Sequence, residues 1–147
     1  MIINSEYGTT GAVTDDIPSH LYIYGIDINN EYFSDDMYSW YERRAAEDYT
    51  EEYMKHGGHD MYLFVDVLEH FKRDKAVEII LWLREDNRKI IAAIPNAPNH
   101  WEQSPEFEAA NPHEAHLHNW TNEEVERDLG LRFVGENDGV GVFAHGV

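Results

Sequence analysis

Polar residues that could carry chemistry follow directly after a short apolar segment in the middle of the chain. The segment is Met61–Val65, and an acid, a second acid and a histidine come after it: Asp66, Glu69 and His70. A histidine with an unperturbed pKa of about 6.5 is suited to remove a proton from a substrate near neutral pH. The competing interpretation is structural, because an acid and a histidine at the start of a helix often orient that helix.

A second group of polar residues lies nearer the C-terminus and has the composition of a metal site. It contains three histidines and one acid: His113, Glu114, His116 and His118. Imidazole and carboxylate groups are ligands for Zn, Fe or Ni. The spacing does not give the His-Glu-x-x-His pair on one helical face, however, and loose histidine clusters often mislead. We therefore expect no metal site here, with a metal cluster as the alternative.

The elements around the first group form a strand, a helix and a second strand. Met61–Val65 is a predicted strand, and a helix is predicted from Asp74 to about Arg84, followed by the apolar strand Lys89–Ile94. Within this helix four apolar residues are expected to face inward: Val77, Ile80, Leu81 and Leu83. Strands joined in this way are parallel, and ligands bind beyond the carboxyl ends of such strands. Asn96, which follows the second strand, is therefore expected near Asp66.

Elements of the same kinds are predicted on both sides of this unit. Before it come a first strand at residues 1–3, a buried strand at 21–28, a helix from Ser34 through Tyr41, a short strand at 43–48 and a helical turn at 49–55. After it, Thr121 and Glu124 form a capping box for a helix that ends at Gly130. Two strands at residues 131–134 and 140–144, joined by a loop at 135–139, complete the chain. The pattern predicts an α/β fold with a mostly parallel sheet that ends in an antiparallel hairpin.

Size and charge limit the classes of function. The 147 residues are expected to form one domain, and the absence of cysteine excludes disulfides and thiolate metal sites. The chain has 29 acidic and 11 basic residues, a formal net charge of -18, which argues against nucleic acid as a direct partner. No apolar run reaches the roughly 20 residues that span a bilayer, so we expect a soluble, cytoplasmic protein without a membrane partner. The acidity indicates a solvated surface, with salt adaptation or mimicry of DNA as alternatives.

Several short motifs together resemble class I S-adenosylmethionine-dependent methyltransferases. Asp66-Val67-Leu68-Glu69-His70 is similar to the "DVLEH" that members of this family often carry after the fourth strand, and Pro95-Asn96 to the "PN" after the fifth. His116-Leu117 before Trp120-Thr121 is similar to the family's "E-x-H-L" and "W-T". The resemblance implies a single Rossmann-like domain over residues 1–147, a three-layer sandwich. It also implies methyl transfer from S-adenosylmethionine to a small molecule or a protein side chain.

The resemblance also implies roles for individual residues. Those expected to bind S-adenosylmethionine are Tyr7, Gly8, Gly11, Asp27, Ile28, Asp48, Tyr49, Asp66 and Leu68. Those expected on the acceptor side are Glu69, Asn96 and Trp120, with His70 and His116 in catalysis. Asp27 would bind the ribose hydroxyls, or alternatively cap the turn after its strand. Asp48 would receive the adenine amino group beneath a stacked Tyr49, or alternatively be an exposed acid.

The N-terminus departs from the family's pattern. Where members have an acid and a Gly-x-Gly-x-Gly loop after the first strand, this chain has Asn4-Ser5-Glu6-Tyr7-Gly8. Glu6 adds bulk and negative charge where the cofactor carboxylate normally packs. Two alternatives follow: a catalytically degenerate binding protein, such as an acidic decoy, or a protein that cleaves S-adenosylmethionine. The short first strand also predicts an open sheet edge covered by a second copy, and hence a homo-oligomer.

Overall fold

The computed structural model describes residues 2–4, 24–27, 40–43, 48, 59–95 and 115–147. The strands within these ranges are β1 (Ile2–Asn4), β2 (Tyr24–Asp27), β3 (Trp40–Arg43), β4 (Met61–Val65), β5 (Lys89–Pro95), β6 (Arg132–Asn137) and β7 (Val140–His145). The helical elements are a 3-10 turn (Leu68–His70), α1 (Arg73–Glu85), and α2, in which an α-helical turn (Asn122–Glu124) continues as a π-helix (Val125–Leu129).

The described strands form one mixed sheet in the order β3-β2-β1-β4-β5-β7-β6. β1 pairs in parallel with β2 and with β4, β2 pairs in parallel with β3, and β4 pairs in parallel with β5. The last two pairings, β5 with β7 and β7 with β6, are antiparallel. The part of the sheet built by β4 to β7 is therefore mostly antiparallel. The predicted α/β class and the predicted terminal hairpin are confirmed.

The first strand lies inside the sheet, between β2 and β4. The prediction that it leaves an open edge was therefore wrong, since the edges of the described sheet are β3 and β6. A strand of only three residues can be central because both neighbours supply parallel partners, Gly25 and Leu63 for Ile2. The homo-oligomer that was inferred from an open first strand stays a prediction without that reason.

The hydrophobic core lies between the sheet and α1. Four residues of α1 are buried at helical spacing: Ala76, Ile79, Ile80 and Leu83. Alternate residues of the two parallel strands β4 and β5 are buried as well, including Tyr62, Phe64, Ile90, Ala92 and Ile94. Burial of each large apolar side chain contributes about 1.5–3 kcal/mol, so this face holds the helix on the strands. This layer fixes the carboxyl ends of β4 and β5.

Two details of α1 differ from the sequence prediction. The helix begins at Arg73, and Lys72 is its N-cap without a side-chain hydrogen bond, so Asp74 is not the cap. Asp74 instead lies in the first turn, where its charge favours the helix dipole. Leu81, which was expected to face inward, is exposed because the buried stripe runs through Ile80 and Leu83. Val77 packs at the margin of the core.

The third strand begins earlier than predicted. The residue pattern predicts a helix that extends to Tyr41 and a strand at residues 43–48, whereas β3 is Trp40–Arg43. Adjacent aromatic residues favour strand, and parallel pairing with β2 gives them partners that a helix pattern does not foresee. As a result Asp48 lies several residues beyond the strand and is exposed.

The terminal hairpin is tighter than predicted. Its loop is only Asp138-Gly139, because β6 extends to Asn137, and both loop residues have positive φ, 47° and 78°. Asp-Gly is a favoured pair for such two-residue loops. A register shift between Phe133 and Gly135 accommodates the extra residue in β6.

The ends of α2 were predicted correctly. Thr121 Oγ1 accepts a hydrogen bond from the Glu124 backbone N–H at 3.2 Å, and Glu124 Oε2 accepts one from the Thr121 backbone N–H at 3.0 Å. Gly130 ends the helix in a left-handed conformation with φ 62°. Arg84 of α1 donates a hydrogen bond to the Leu129 carbonyl at 3.1 Å and so ties α1 to the end of α2. Across the described ranges, no helix combines the length and the apolar character needed to cross a membrane.

Candidate functional site

The carboxyl edge of the parallel strands is the natural place for a ligand. From β1 the chain proceeds through β2 to β3 on one side and then continues with β4 and β5 on the other, so the order reverses between β1 and β4. Ligands of open α/β sheets bind at such a switch point, beyond the carboxyl ends of the strands. Asn4 pairs with Val65, and Asp27 is the last residue of β2. The backbone therefore brings Asn4, Asp27 and Asp66 to one edge.

Asp66 forms a sharp corner immediately after β4. Its φ is 48°, in the left-handed region that aspartate tolerates better than most residues, and its N–H donates to the Ala93 carbonyl at 3.1 Å. Burial raises the pKa of its carboxyl. The corner turns the chain away from the sheet and into the 3-10 turn that carries Glu69 and His70.

The segment before α2 is docked onto this 3-10 turn. The backbone N–H groups of Leu117 and His118 both donate to the Glu69 carbonyl, at 2.8 and 3.1 Å. The indole N–H of Trp120 donates to the Leu68 carbonyl at 3.1 Å, and both side chains are fully buried. Residues distant in the sequence are thereby fixed against the end of β4.

Docking brings Glu69, His70 and His116 together. Each of the three residues offers one oxygen or nitrogen atom, and these atoms lie within 4.8 Å of one another. Glu69 is only 2% exposed, and neither of its carboxylate oxygens has a hydrogen-bond partner within the part of the chain that the structure describes. Burial raises the pKa of this carboxyl to about 8; its own backbone N–H lowers that pKa somewhat, and the charge of Asp66 raises it slightly.

His70 is held in one orientation beside Glu69. Its Nδ1 lies 3.4 Å from the Ala115 carbonyl, so a proton on Nδ1 is donated there, and Nε2 lies 3.8 Å from Glu69 Oε1. Burial, with a contribution from His116, lowers the pKa of His70 to about 4. The ring is thus neutral near pH 7, and its contact with Glu69 is not an ion pair. The rings of His70 and His116 meet edge to face, with centroids 5.1 Å apart.

The remaining predicted site residues are distributed as follows. Tyr7, Gly8, Gly11, Ile28, Tyr49 and Asn96 lie outside the described residues. Asp27 is placed by its backbone at the carboxyl edge, whereas Asp48 is exposed. Leu68 and Trp120 belong to the hydrophobic core. The roles of all these residues in binding stay predictions.

The structure divides the histidine group near the C-terminus. His118 stacks edge to face on Trp120 at 4.4 Å, and its Nε2 lies 3.8 Å from Glu124 Oε2. His113 and Glu114 lie outside the described residues. His116 instead joins the acid–histidine pair after β4. The resemblance implied that all three residues lie on the acceptor side, but the residue pattern alone did not group them. One signal in the sequence points to this grouping. His116 shortly precedes the helix cap at Thr121, and the adjacent pair Glu69-His70 follows a strand.

Comparisons with known proteins support the fold. No protein-family model and no curated protein matches the chain. A solved O-methyltransferase family protein from Burkholderia thailandensis is similar over 84% of this chain and 43% of its own, with 13% identity and a TM-score of 0.53. The methyltransferase CalO6 aligns over 85% of this chain and 49% of its own, with 14% identity and a TM-score of 0.44. The first of these similarities indicates a methyltransferase-like fold. The chain spans less than half the length of both proteins.

Proposed function

We propose that the chain is an S-adenosylmethionine-dependent methyltransferase with a Rossmann-like three-layer fold, acting on a small molecule or a protein side chain. The observation that carries the proposal is the reversal of strand order between β1 and β4, which gathers Asn4, Asp27 and Asp66 at one carboxyl edge. The likeness in fold to an O-methyltransferase family protein supports it.

The edge residues suit the parts of this cofactor. A carboxylate at the end of β2 can accept hydrogen bonds from both ribose hydroxyls, which is the role proposed for Asp27. Asp66, at the end of β4, would border the methionine end. When bound, S-adenosylmethionine supplies an activated methyl group on a sulfonium centre. The protein's contribution is then orientation of the acceptor and exclusion of water.

The proposed catalytic histidines act on the acceptor side. His70 is neutral near pH 7 and can therefore accept a hydrogen bond or a proton through Nε2, but its low pKa makes it a weak base. Its main role is to position the acceptor, since the Ala115 carbonyl fixes the orientation of the imidazole ring through Nδ1. Glu69 and His116 border the same acceptor region.

Calorimetric titration tests the proposal with S-adenosylmethionine and with its demethylated product. We expect both to bind, and Asp27→Ala to weaken binding by about 10-fold or more, because a hydrogen bond to a charged group contributes about 1.5–3 kcal/mol. The matched control is Asp60→Ala, which removes an exposed acid just before β4, at the opposite edge of the sheet. Absence of binding at millimolar ligand, or equal losses in both variants, would contradict the proposal.

The charge of -18 favours a second candidate, a methyltransferase-fold binding protein that acts as an acidic decoy for a nucleic-acid-binding partner. In that case neither ligand binds, while a basic DNA-binding protein binds in a salt-dependent manner. Cleavage of S-adenosylmethionine is a third outcome, and chromatography of the ligand after incubation identifies it by a broken cofactor.

A further inference from the structure

Within the part of the chain that the structure describes, the buried carboxylate of Glu69 has no partner that explains its position. Buried polar side chains are nearly always hydrogen-bonded, and an unpaired buried carboxyl group costs free energy. Both Glu69 oxygens lack a hydrogen bond within the described ranges, although the side chain is almost completely enclosed. Its backbone carbonyl, by contrast, accepts two hydrogen bonds from the docked segment. The backbone is thus held by hydrogen bonds, whereas the side-chain oxygens have no hydrogen-bond partner among the described residues.

The two histidines supply the kind of groups that would accompany such a carboxylate. With a proton on Nδ1 donated to the Ala115 carbonyl, Nε2 of His70 carries the lone pair, and Nε2 lies 3.8 Å from Glu69 Oε1. Histidine ligands of metals commonly donate their other ring N–H to a backbone carbonyl in this way, which fixes the tautomer. His116 completes the group from the opposite segment.

We propose that Glu69, His70 and His116 bind a divalent transition-metal ion of the Zn²⁺ type. Two nitrogen donors and one carboxylate suit Zn²⁺ and its first-row neighbours, whereas Mg²⁺ prefers oxygen ligands only. Ligand atoms about 2.1 Å from a tetrahedral metal lie about 3.4 Å apart, so metal binding requires the present separations of up to 4.8 Å to shorten by as much as about 1.4 Å.

Three protein ligands leave one coordination position open, the arrangement found in catalytic rather than structural zinc sites. The site adjoins the end of β4, next to the strand-order reversal. An oxygen-bearing molecule could occupy the open position. Metal binding itself does not depend on S-adenosylmethionine, so it is tested without that ligand and its failure is separate from failure of the proposed function.

The experiment uses the full chain from which metal has been removed by a chelator. Calorimetric titration with ZnCl2, CoCl2 and MgCl2 then measures the affinity for each ion. We expect one Zn²⁺ per chain, visible d–d absorption for Co²⁺, and Mg²⁺ at least 100-fold weaker. Glu69→Gln and His116→Gln should each weaken Zn²⁺ binding at least 10-fold, since loss of a ligand is no milder than the 10- to 100-fold loss seen for supporting residues. His118→Gln is the matched control, because His118 belongs to the same segment but faces Trp120.

A measurement on the wild-type chain tests the proposal even if the variants fail to fold. In histidine side-chain ¹H–¹⁵N spectra, Zn²⁺ should shift the ring nitrogens of His70 and His116 and leave those of His118 unchanged. Absence of Zn²⁺ binding at about 1 mM, equal affinity in Glu69→Gln and wild type, or shifts confined to other histidines would overturn the proposal.

Discussion

Replacing Glu69 by glutamine should make the metal-free protein increasingly stable relative to the wild type as pH rises. In the unfolded chain the carboxyl titrates at 4.5, whereas burial raises its pKa in the folded protein to about 8. Because the folded pKa is the higher one, the contribution of Glu69 to stability is fully present below pH 4.5, is lost progressively as pH rises from 4.5 to 8, and is gone above 8. The two pKa values differ by about 3.5, and one pKa unit corresponds to about 1.4 kcal/mol, which gives a loss of about 5 kcal/mol at most.

Urea unfolding with EDTA present, followed by tryptophan fluorescence from pH 5 to 9, measures this effect. The glutamine amide is itself buried without a partner, which costs about 1–3 kcal/mol at every pH. The informative quantity is therefore the change with pH of the difference in unfolding free energy between variant and wild type. We expect that difference to rise by about 3–5 kcal/mol between pH 5 and pH 9. Parallel stability curves would show that Glu69 ionises normally in the folded protein and would refute the reasoning.

Three further changes test the packing that holds the site. Gly130→Ala should destabilise the protein by about 1–3 kcal/mol in thermal or urea unfolding, because the φ of Gly130 is 62° and an added Cβ would collide with the Arg84 guanidinium. Gly135→Ala is the control, because a Cβ added at Gly135 meets open space. Trp120→Phe should cost about 1–3 kcal/mol by leaving the buried Leu68 carbonyl without its indole donor, and hydrogen exchange of the Leu117 amide should quicken. Thr121→Ala should cost about 1 kcal/mol through loss of the cap on α2, again measured by urea unfolding, and a change within error would contradict the capping geometry.

Local signals in the sequence were sufficient to predict those elements whose hydrophobic pattern and end signals indicate the same bounds. β4 was predicted at its observed bounds because an apolar run is followed by polar residues, and α2 because Thr121, Glu124 and Gly130 mark both ends. The third strand was misplaced because its aromatic residues fit a helical spacing as well as a strand, and pairing with β2 decides between them. Sequence periodicity contains no information about that pairing.

The candidate site likewise has a part that the sequence predicts and a part that depends on tertiary contacts. Glu69 and His70 were singled out because they follow β4, but their grouping with His116 depends on hydrogen bonds from Leu117 and His118 to the Glu69 carbonyl. Those bonds join segments far apart in the chain, and no local motif specifies them. The resemblance in motifs placed His116 near an acceptor pocket without indicating which side chains it meets.

The position of Glu69 conflicts with what stability alone would favour. An apolar residue at the same place would avoid the cost of an unpaired buried polar group, and local conflicts of this kind are expected mainly at functional sites. The conflict is confined to the side chain, because the Glu69 backbone accepts two hydrogen bonds and the neighbouring Leu68 and Trp120 are well packed. A binding partner for the carboxylate resolves the conflict, and the proposed cation shared with His70 and His116 is such a partner. If Zn²⁺ binds there, its binding energy must also offset the ionisation of Glu69, so Zn²⁺ should raise the thermal stability of the wild type more than that of Glu69→Gln.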